Sequence, residues 1–152
     1  MKTQKLFCSG LFAVAGAFAY GSAMADNCSG HYSDVNVSAE VHDVGDGYVL
    51  VIFTGRSTAT SDNSPYTGVG MCGGYALTTP DGKTRVRYAC TRTDADGDSW
   101  SDYGGIEPGA ARGTWTETGG TGKYAGNFNS GWFEQLVTDG TSTTGIWGGN
   151  CN

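Results

Sequence analysis

The sequence predicts an all-β protein, a single antiparallel up-and-down β-barrel of about eight strands that is stapled by disulfides. Short runs rich in Thr, Val, Tyr and Trp alternate with period two, and glycine-rich turns separate them about every ten residues. No convincing helical segment follows the first 25 residues, because glycine is abundant and helix formers are sparse. Eight strands joined in sequence order close into a barrel that leaves no exposed strand edge.

Residues 1–25 have the three parts of a secretory signal peptide. Lys2 and Lys5 form the basic start, an apolar stretch follows, and an Ala-Met-Ala sequence at 23–25 is a small-x-small cleavage site. The apolar stretch is too short for a membrane-spanning helix. We therefore predict a signal peptide at 1–25 and a barrel domain at 26–152 that is exported to the periplasm or the extracellular space.

The chain without its leader is acidic. It keeps seven of the nine basic residues against fifteen acidic ones, which gives a formal charge of −8. This charge opposes binding to nucleic acid or to anionic lipid. Charged residues also interrupt most of the predicted strands, which argues against a membrane-spanning barrel with a lipid-facing apolar band.

The alternating runs define eight strands, each ended by turn residues such as Gly, Asp and Pro. They are predicted at 35–43, 48–55, 67–78, 83–93, 99–105, 113–118, 125–137 and 142–149. The segment 56–66 is interpreted as the one long loop.

The segment 71–100 carries the most specific local signal. A Pro-Asp-Gly sequence at 80–82 suits a three-residue hairpin loop that ends in a glycine bulge. The register set by this loop places Cys72 directly opposite Cys90 in a non-hydrogen-bonded pair. The Cα atoms of such a pair lie about 4.5 Å apart, which is within reach of a disulfide.

A two-residue loop is the alternative register. It would pair Leu77 with Val86 instead of Arg85, which gives a more apolar face. It would also send the two cysteines to opposite faces of the hairpin, unless a bulge intervenes. We favour the longer loop because Pro80 cannot donate the hydrogen bond that the shorter loop requires.

Four cysteines follow the leader, an even number that indicates disulfides in an exported protein. The absence of a Cys-x-x-Cys pair makes a structural zinc site improbable. The hairpin register predicts the pair Cys72–Cys90, and elimination then leaves Cys28–Cys151. The second pair agrees with a barrel, since the first and last of eight consecutive strands are neighbours.

Two sequences were considered as sites for a metal or a phosphate group. Asp94, Asp96 and Asp98 stand at alternate positions, but glycine and glutamate do not stand where an EF-hand loop needs them. An Asp-Gly hairpin turn with solvated carboxylates is therefore favoured over a metal site. The glycine-rich run at 118–126 lacks the spacing of a phosphate-binding loop, so no cofactor is expected.

Aromatic residues are the candidates for binding a ligand. They fall on separate predicted strands, mostly in the C-terminal half: Tyr88, Trp100, Trp115, Trp132 and Trp147. Aromatic residues at strand spacing usually form the core, but they also line small-molecule cavities. We expect that any cavity is lined by some of these five and takes a small hydrophobic ligand.

No catalytic residue can be assigned from the sequence. Glu40, Glu117 and Glu134 would be candidate acids or bases if they were buried, but outward-facing side chains are expected. His31 and His42 lie on different segments, and no Gly-x-Ser-x-Gly sequence is present, so a catalytic triad is not indicated. The sequence therefore favours a protein that is not an enzyme.

The sequence Gly-Gly-Thr-Gly-Lys-Tyr-Ala-Gly at 119–126 resembles the glycine-rich segment of dirigent and allene-oxide-cyclase-like barrels. Together with Cys90 and the Asp-x-Asp-Gly-Asp turn at 94–98, it resembles a group of small exported bacterial proteins of uncharacterised activity. Both resemblances imply an eight-stranded antiparallel barrel, and neither supplies a catalytic set.

Two functions follow as expectations. The favoured one is an exported binding or structural protein with a hydrophobic small-ligand site inside the barrel or at one open end. The alternative is a cyclase-like or dirigent-like enzyme that steers a hydrophobic intermediate in the barrel. A carboxylate or tyrosine buried beside the tryptophans would favour the enzyme, whereas a filled core would exclude an interior ligand.

Overall fold

A computed structural model describes residues 26–151, and the predicted signal peptide lies outside the described residues. The strands form a closed antiparallel barrel in which each strand pairs with its sequence neighbours and β8 pairs with β1. They are β1 (Cys28–Gly45), β2 (Tyr48–Ser61), β3 (Gly68–Thr78), β4 (Thr84–Thr93), β5 (Ser99–Ile106), β6 (Gly113–Gly120), β7 (Ser130–Thr138) and β8 (Ser142–Asn150). A single 3-10 turn, Gly122–Tyr124, is the helical element of this region, and it is far too short to cross a membrane. The predicted fold class is confirmed.

Three predicted boundaries are wrong. The first strand was predicted to begin at residue 35, but β1 begins at Cys28, because residues 28–34 pair with β8. The polar segment 56–61 continues β2 instead of forming a loop, because it pairs with the first half of β1. Its inward side chains, Ser57 and Ala59, are small and buried, and its outward ones are polar, so the segment looks like a loop in the sequence. The segment 125–129 is not part of β7. It is a connection in which Gly126 adopts a φ of +79°.

The β3–β4 hairpin has the register that the three-residue loop predicts. The backbone N–H of Thr79 donates to the Lys83 carbonyl at 2.9 Å, and the N–H of Gly82 donates to the Thr79 carbonyl at 2.9 Å. Cys72 lies opposite Cys90. The two form a disulfide with their Cα atoms 4.1 Å apart, so the alternative register is excluded.

The second disulfide joins the two ends of the described chain where β8 meets β1. Cys28 and Cys151 are bonded with their Cα atoms 5.8 Å apart. Hydrogen bonds through Asn27 tie the same region: its N–H donates to the Gly149 carbonyl at 2.9 Å, and its side-chain oxygen accepts from the Cys151 N–H at 2.6 Å. Both predicted pairings are therefore present.

The two ends of the barrel differ. At the closed end lie the Cys28–Cys151 disulfide and the connections β2–β3, β4–β5 and β6–β7, whose side chains fill the barrel. Tyr66, Trp100 and Tyr124 pack there with ring centroids 4.9 to 5.5 Å apart. At the open end lie the other four turns. Along β2, the inward side chain of Ala59 near the closed end is buried, whereas that of Val51 near the open end is half-buried. The barrel interior is therefore more accessible to solvent at the open end.

Candidate functional site

A cavity of about 320 Å³ occupies the barrel between the closed-end core and the open end. Eight aromatic residues line it: Tyr32, Phe53, Tyr66, Tyr88, Trp100, Trp115, Phe133 and Trp147. Towards the open end the wall carries aliphatic side chains, Val51, Ala76 and Val86, together with the polar side chains of Asn36, Gln135 and Thr143. Successive side chains of each strand point alternately into and out of the barrel, and the rings and aliphatic groups of the wall stand at inward positions.

Four of the five aromatic residues predicted from the sequence line this cavity. They are Tyr88, Trp100, Trp115 and Trp147. Trp115 and Trp147 pack edge to face, with ring centroids 6.1 Å apart. Binding of a ligand by these residues stays a prediction.

Trp132 lies on the outer surface of the barrel, since its neighbour Phe133 points inward. The indole N–H of Trp132 donates to the Asp26 carboxylate at 2.8 Å. The guanidinium of Arg112 lies 4.0 Å from its ring centroid, which is a cation–π contact. Trp132 is therefore separate from the cavity.

A polar group of four residues crosses the cavity wall at mid-height, and we call it the interior charge cluster: Asp34, Ser57, Arg92 and Asp102. Arg92 donates from Nε to the Ser57 hydroxyl at 3.0 Å and from Nη1 to the Asp102 carboxylate. Asp34 lies opposite Ser57 in the β1–β2 register. Ser57, Arg92 and Asp102 are at most 8% exposed.

The interior charge cluster holds two carboxyl groups and one guanidinium. Burial raises the pKa of Asp34, although a hydrogen bond with Ser57 and the charge of Arg92 partly oppose this. Burial also raises the pKa of Asp102, and its ion pair with Arg92 opposes the increase. Oδ1 of Asp34 is buried and has no hydrogen-bond partner within residues 26–151. The cluster therefore either carries a net negative charge or retains a proton.

The Tyr88 hydroxyl lies beside this cluster. Burial raises its pKa, and the charge of Asp102 raises it further. The hydroxyl is therefore protonated at neutral pH and available as a hydrogen-bond donor inside the cavity.

Glu117 was expected to face outward, and this expectation is wrong. It points into the barrel and is 2% exposed, because it stands two residues after the inward-facing Trp115 on β6 and therefore shares its face. Its Oε2 accepts from the Tyr66 hydroxyl at 2.8 Å and from Asn129 Nδ2 at 2.7 Å. Burial raises the pKa of Glu117, which lies in the closed-end core behind the cavity.

The other two glutamates have the expected outward orientation. The side chain of Glu40 is 75% exposed. That of Glu134 forms a surface ion pair with Arg112, with Nε and Oε2 3.1 Å apart.

The side chain of Lys123 forms ion pairs with the acidic turn that follows β4. Lys123 Nζ lies 2.8 Å from Asp94 Oδ2 and 2.7 Å from Asp96 Oδ2. Asp98 Oδ2 accepts from the backbone N–H of Lys123 at 3.2 Å. Within the described part of the chain, no three His, Cys, Asp or Glu side chains converge as a metal site. The three aspartates hold the β6–β7 connection against the closed end.

The interior charge cluster was not predicted from the sequence, although one signal for it existed. Arg92 follows Cys90 by two residues on a strand, so both side chains share a face. Asp102 lies opposite Cys90 on β5. If the Cys72–Cys90 disulfide is taken to face inward, both Arg92 and Asp102 are also predicted to lie inside the barrel.

No protein-family model matches this sequence, and no curated protein sequence matches it. Solved structures do resemble it. A pterocarpan synthase dirigent protein superposes with a TM-score of 0.52 and 11% identity over 80% of this chain and 81% of its own. A pyocyanin demethylase superposes with a TM-score of 0.46 and 21% identity over 78% of this chain and 98% of its own. The likeness to the dirigent protein shows a shared barrel fold.

Proposed function

We propose that the barrel binds a small, largely apolar, ring-containing molecule in its interior. The observation that carries this proposal is the cavity of about 320 Å³ with eight aromatic rings in its wall. This volume falls at the lower end of the range for small-molecule pockets. The dirigent protein of similar fold is named as a pterocarpan synthase, which agrees with a small-molecule role.

The arrangement of the cavity wall supports one orientation of the ligand. Apolar rings at the closed end offer surfaces for stacking. The interior charge cluster and the Tyr88 hydroxyl offer the polar contacts that fix a ligand's direction. An apolar ring buried near Trp100, with its polar group at the level of Arg92, satisfies both parts of the wall.

Titration with a neutral fluorescent probe, N-phenyl-1-naphthylamine, tests the proposed site. We expect the probe to bind and to quench tryptophan emission. Ala76→Trp fills the inward wall near the open end and should weaken binding at least tenfold. Ala89→Trp, at an exposed position on β4, is the matched control and should bind like the wild type. The proposal is wrong if the wild-type protein binds no probe or if Ala76→Trp binds as well as the wild type.

An enzyme is the second candidate function, and the buried carboxyl groups favour it. Asp102 is held in an ion pair, whereas Asp34 has an unpartnered oxygen, so the two carboxyl groups have different environments. Such a difference suits one carboxyl group to exchange a proton with a bound molecule. Asp34 is the candidate acid or base, and the Arg92–Asp102 pair is the candidate positioning element.

The molecule retained by the protein separates these two candidates. Native mass spectrometry of protein purified from its own source should reveal a bound small molecule. The molecule is then incubated with wild-type protein and with the Asp34→Asn variant. A binding protein leaves it unchanged, whereas an enzyme converts it in the wild type and not in Asp34→Asn.

We also propose that the protein acts after export, in an oxidising compartment. Two disulfides support this, because disulfides persist mainly outside the cytosol. N-terminal sequencing of the exported protein should begin near Asp26, and a retained Met1 would contradict the predicted cleavage.

A further inference from the structure

We infer that the cavity selects a positively charged aromatic ring over a neutral ring of the same shape. The inference rests on the proposed interior binding site, and it adds the charge class of the ligand. Its basis is the charge balance of the inward-facing residues, and above all the position of Asp34.

The ionisable groups that face the interior can be counted strand by strand. They are Tyr32 and Asp34 on β1, Tyr88 and Arg92 on β4, Asp102 on β5, Glu117 on β6, and Tyr66 from the β2–β3 connection. Among the described residues, Arg92 is the one lysine or arginine that lines the cavity. The carboxyl groups thus outnumber the cation.

The single guanidinium is already engaged away from Asp34. Its Nε donates to Ser57 and its Nη1 to Asp102, and its Nη2 lies 3.8 Å from the Cys72 sulfur. Asp102 neutralises Arg92 through a direct ion pair. Asp34 is therefore left without a cation of its own.

Asp34 also lacks a hydrogen-bond donor for one oxygen. Oδ1 is buried and makes no hydrogen bond within residues 26–151. A buried carboxylate oxygen without a partner is costly, so such an atom in a folded protein calls for a donor that binds there. A cationic ligand at this level of the cavity lowers that cost by compensating the charge, and one with an N–H group also supplies the donor.

The aromatic wall favours the same class of ligand. The faces of aromatic rings attract cations, and the attraction is strongest where water is excluded. Eight aromatic residues line the cavity. Among them, Tyr32 and Tyr88 both pack edge to face on Phe133, and the charge of Asp34 acts on both tyrosines. A planar aromatic cation stacks on the rings and, in the same position, pairs with the carboxylate of Asp34.

The affinity for a cation should depend on pH. Burial raises the pKa of Asp34, so the empty cavity keeps this proton to a higher pH than a free aspartate, whose pKa is about 3.9. A bound cation displaces the proton. Its affinity therefore increases as the pH rises through the raised pKa of Asp34, while the affinity of a neutral ligand stays constant.

Three probes of nearly equal shape test the inference: 1-methylquinolinium, 1-methylnaphthalene and 1-naphthoate. Their binding to the wild-type protein is measured by equilibrium dialysis at pH 7.5 and repeated between pH 5 and pH 8. We expect the cation to bind at least tenfold more tightly than the neutral probe, and the anion to bind most weakly. The preference for the cation should increase with pH.

Two variants locate the effect. Asp34→Asn should weaken binding of the cation about tenfold, reduce its pH dependence and leave the neutral probe unchanged. Asp46→Asn removes the same charge from the exposed β1–β2 turn and should change neither probe.

The outcomes distinguish the two proposals. If none of the probes binds the wild-type protein, the interior site itself is wrong. If the neutral probe binds and the cation binds no better, the site stands and the charge inference is wrong. An equal loss of both probes in Asp34→Asn also overturns the charge inference. The comparison of probes on wild-type protein decides the question even where a variant fails to fold.

Discussion

Asp94 organises the closed end through a single carboxylate. It accepts from Lys123 Nζ at 2.8 Å, from the Tyr124 hydroxyl at 3.0 Å, and from the backbone N–H groups of Asp96 and Asp98. The hydrogen bond with Lys123, more than the other contacts, lowers the pKa of Asp94 to about 2. The folded state therefore favours the ionised carboxylate. One residue thus connects the β4–β5 turn to the β6–β7 connection.

Replacing Asp94 should remove an acid-sensitive part of the stability. A carboxyl group with a lowered pKa stabilises the fold above its unfolded pKa of about 3.9, and the contribution is lost as the pH falls towards 2. Asp94→Asn should therefore melt at a lower temperature than the wild type at pH 7, with a smaller difference at pH 2.5. Asp96→Asn removes the more exposed of the two ion pairs with Lys123, since its side chain is 76% exposed, and should lower the melting temperature much less. Equal melting temperatures of Asp94→Asn and wild type at pH 7 would contradict this role.

Rings on one strand of the barrel cover glycines on the next strand. Tyr88 on β4 lies opposite Gly104 on β5, and Phe133 on β7 lies opposite Gly113 on β6. A Cβ atom at Gly113 would lie 2.1 Å from the Phe133 ring. Glycines at these positions let the rings lie flat against the wall, which leaves the centre of the barrel open.

Adding a methyl group to one of these glycines should destabilise the barrel. In Gly104→Ala the new Cβ would lie 2.3 Å from the Thr114 carbonyl oxygen and 2.8 Å from the Tyr88 hydroxyl. We expect a loss of about 1–3 kcal/mol in the free energy of unfolding, typical of overpacking. Gly73→Ala is the matched control, since its nearest contact would be 3.8 Å. Urea unfolding should show the control within about 1 kcal/mol of the wild type, and equal losses in both variants would refute the close-packing argument.

At the scale of the whole molecule, the sequence predicted the path of the chain better than its interior. Turn residues fix where strands end, and the Pro-Asp-Gly loop fixes a register, so the barrel and the Cys72–Cys90 disulfide followed from local rules. The Cys28–Cys151 disulfide followed by elimination. The face of each strand is set by long-range closure and by bulges. Glu117 faces inward together with Trp115, two residues before it on β6, but alternation alone does not show which face of a strand lies inside. The inward position of the charged residues was therefore learned from the structure of the closed barrel.

Barrel closure itself can be tested through the two disulfides. Cys28–Cys151 spans 123 residues and Cys72–Cys90 spans 18. A cross-link restricts the unfolded chain more when it closes a longer loop, so the chain-entropy model assigns about 5 kcal/mol to the first and about 3 kcal/mol to the second. The first disulfide also fixes β1 beside β8, whereas the turn at 80–82 already holds the second. We therefore expect Cys28→Ala/Cys151→Ala to lose more stability in urea unfolding than Cys72→Ala/Cys90→Ala. The opposite order would show that the hairpin disulfide, which lines the cavity next to Arg92, is the more important brace of the barrel.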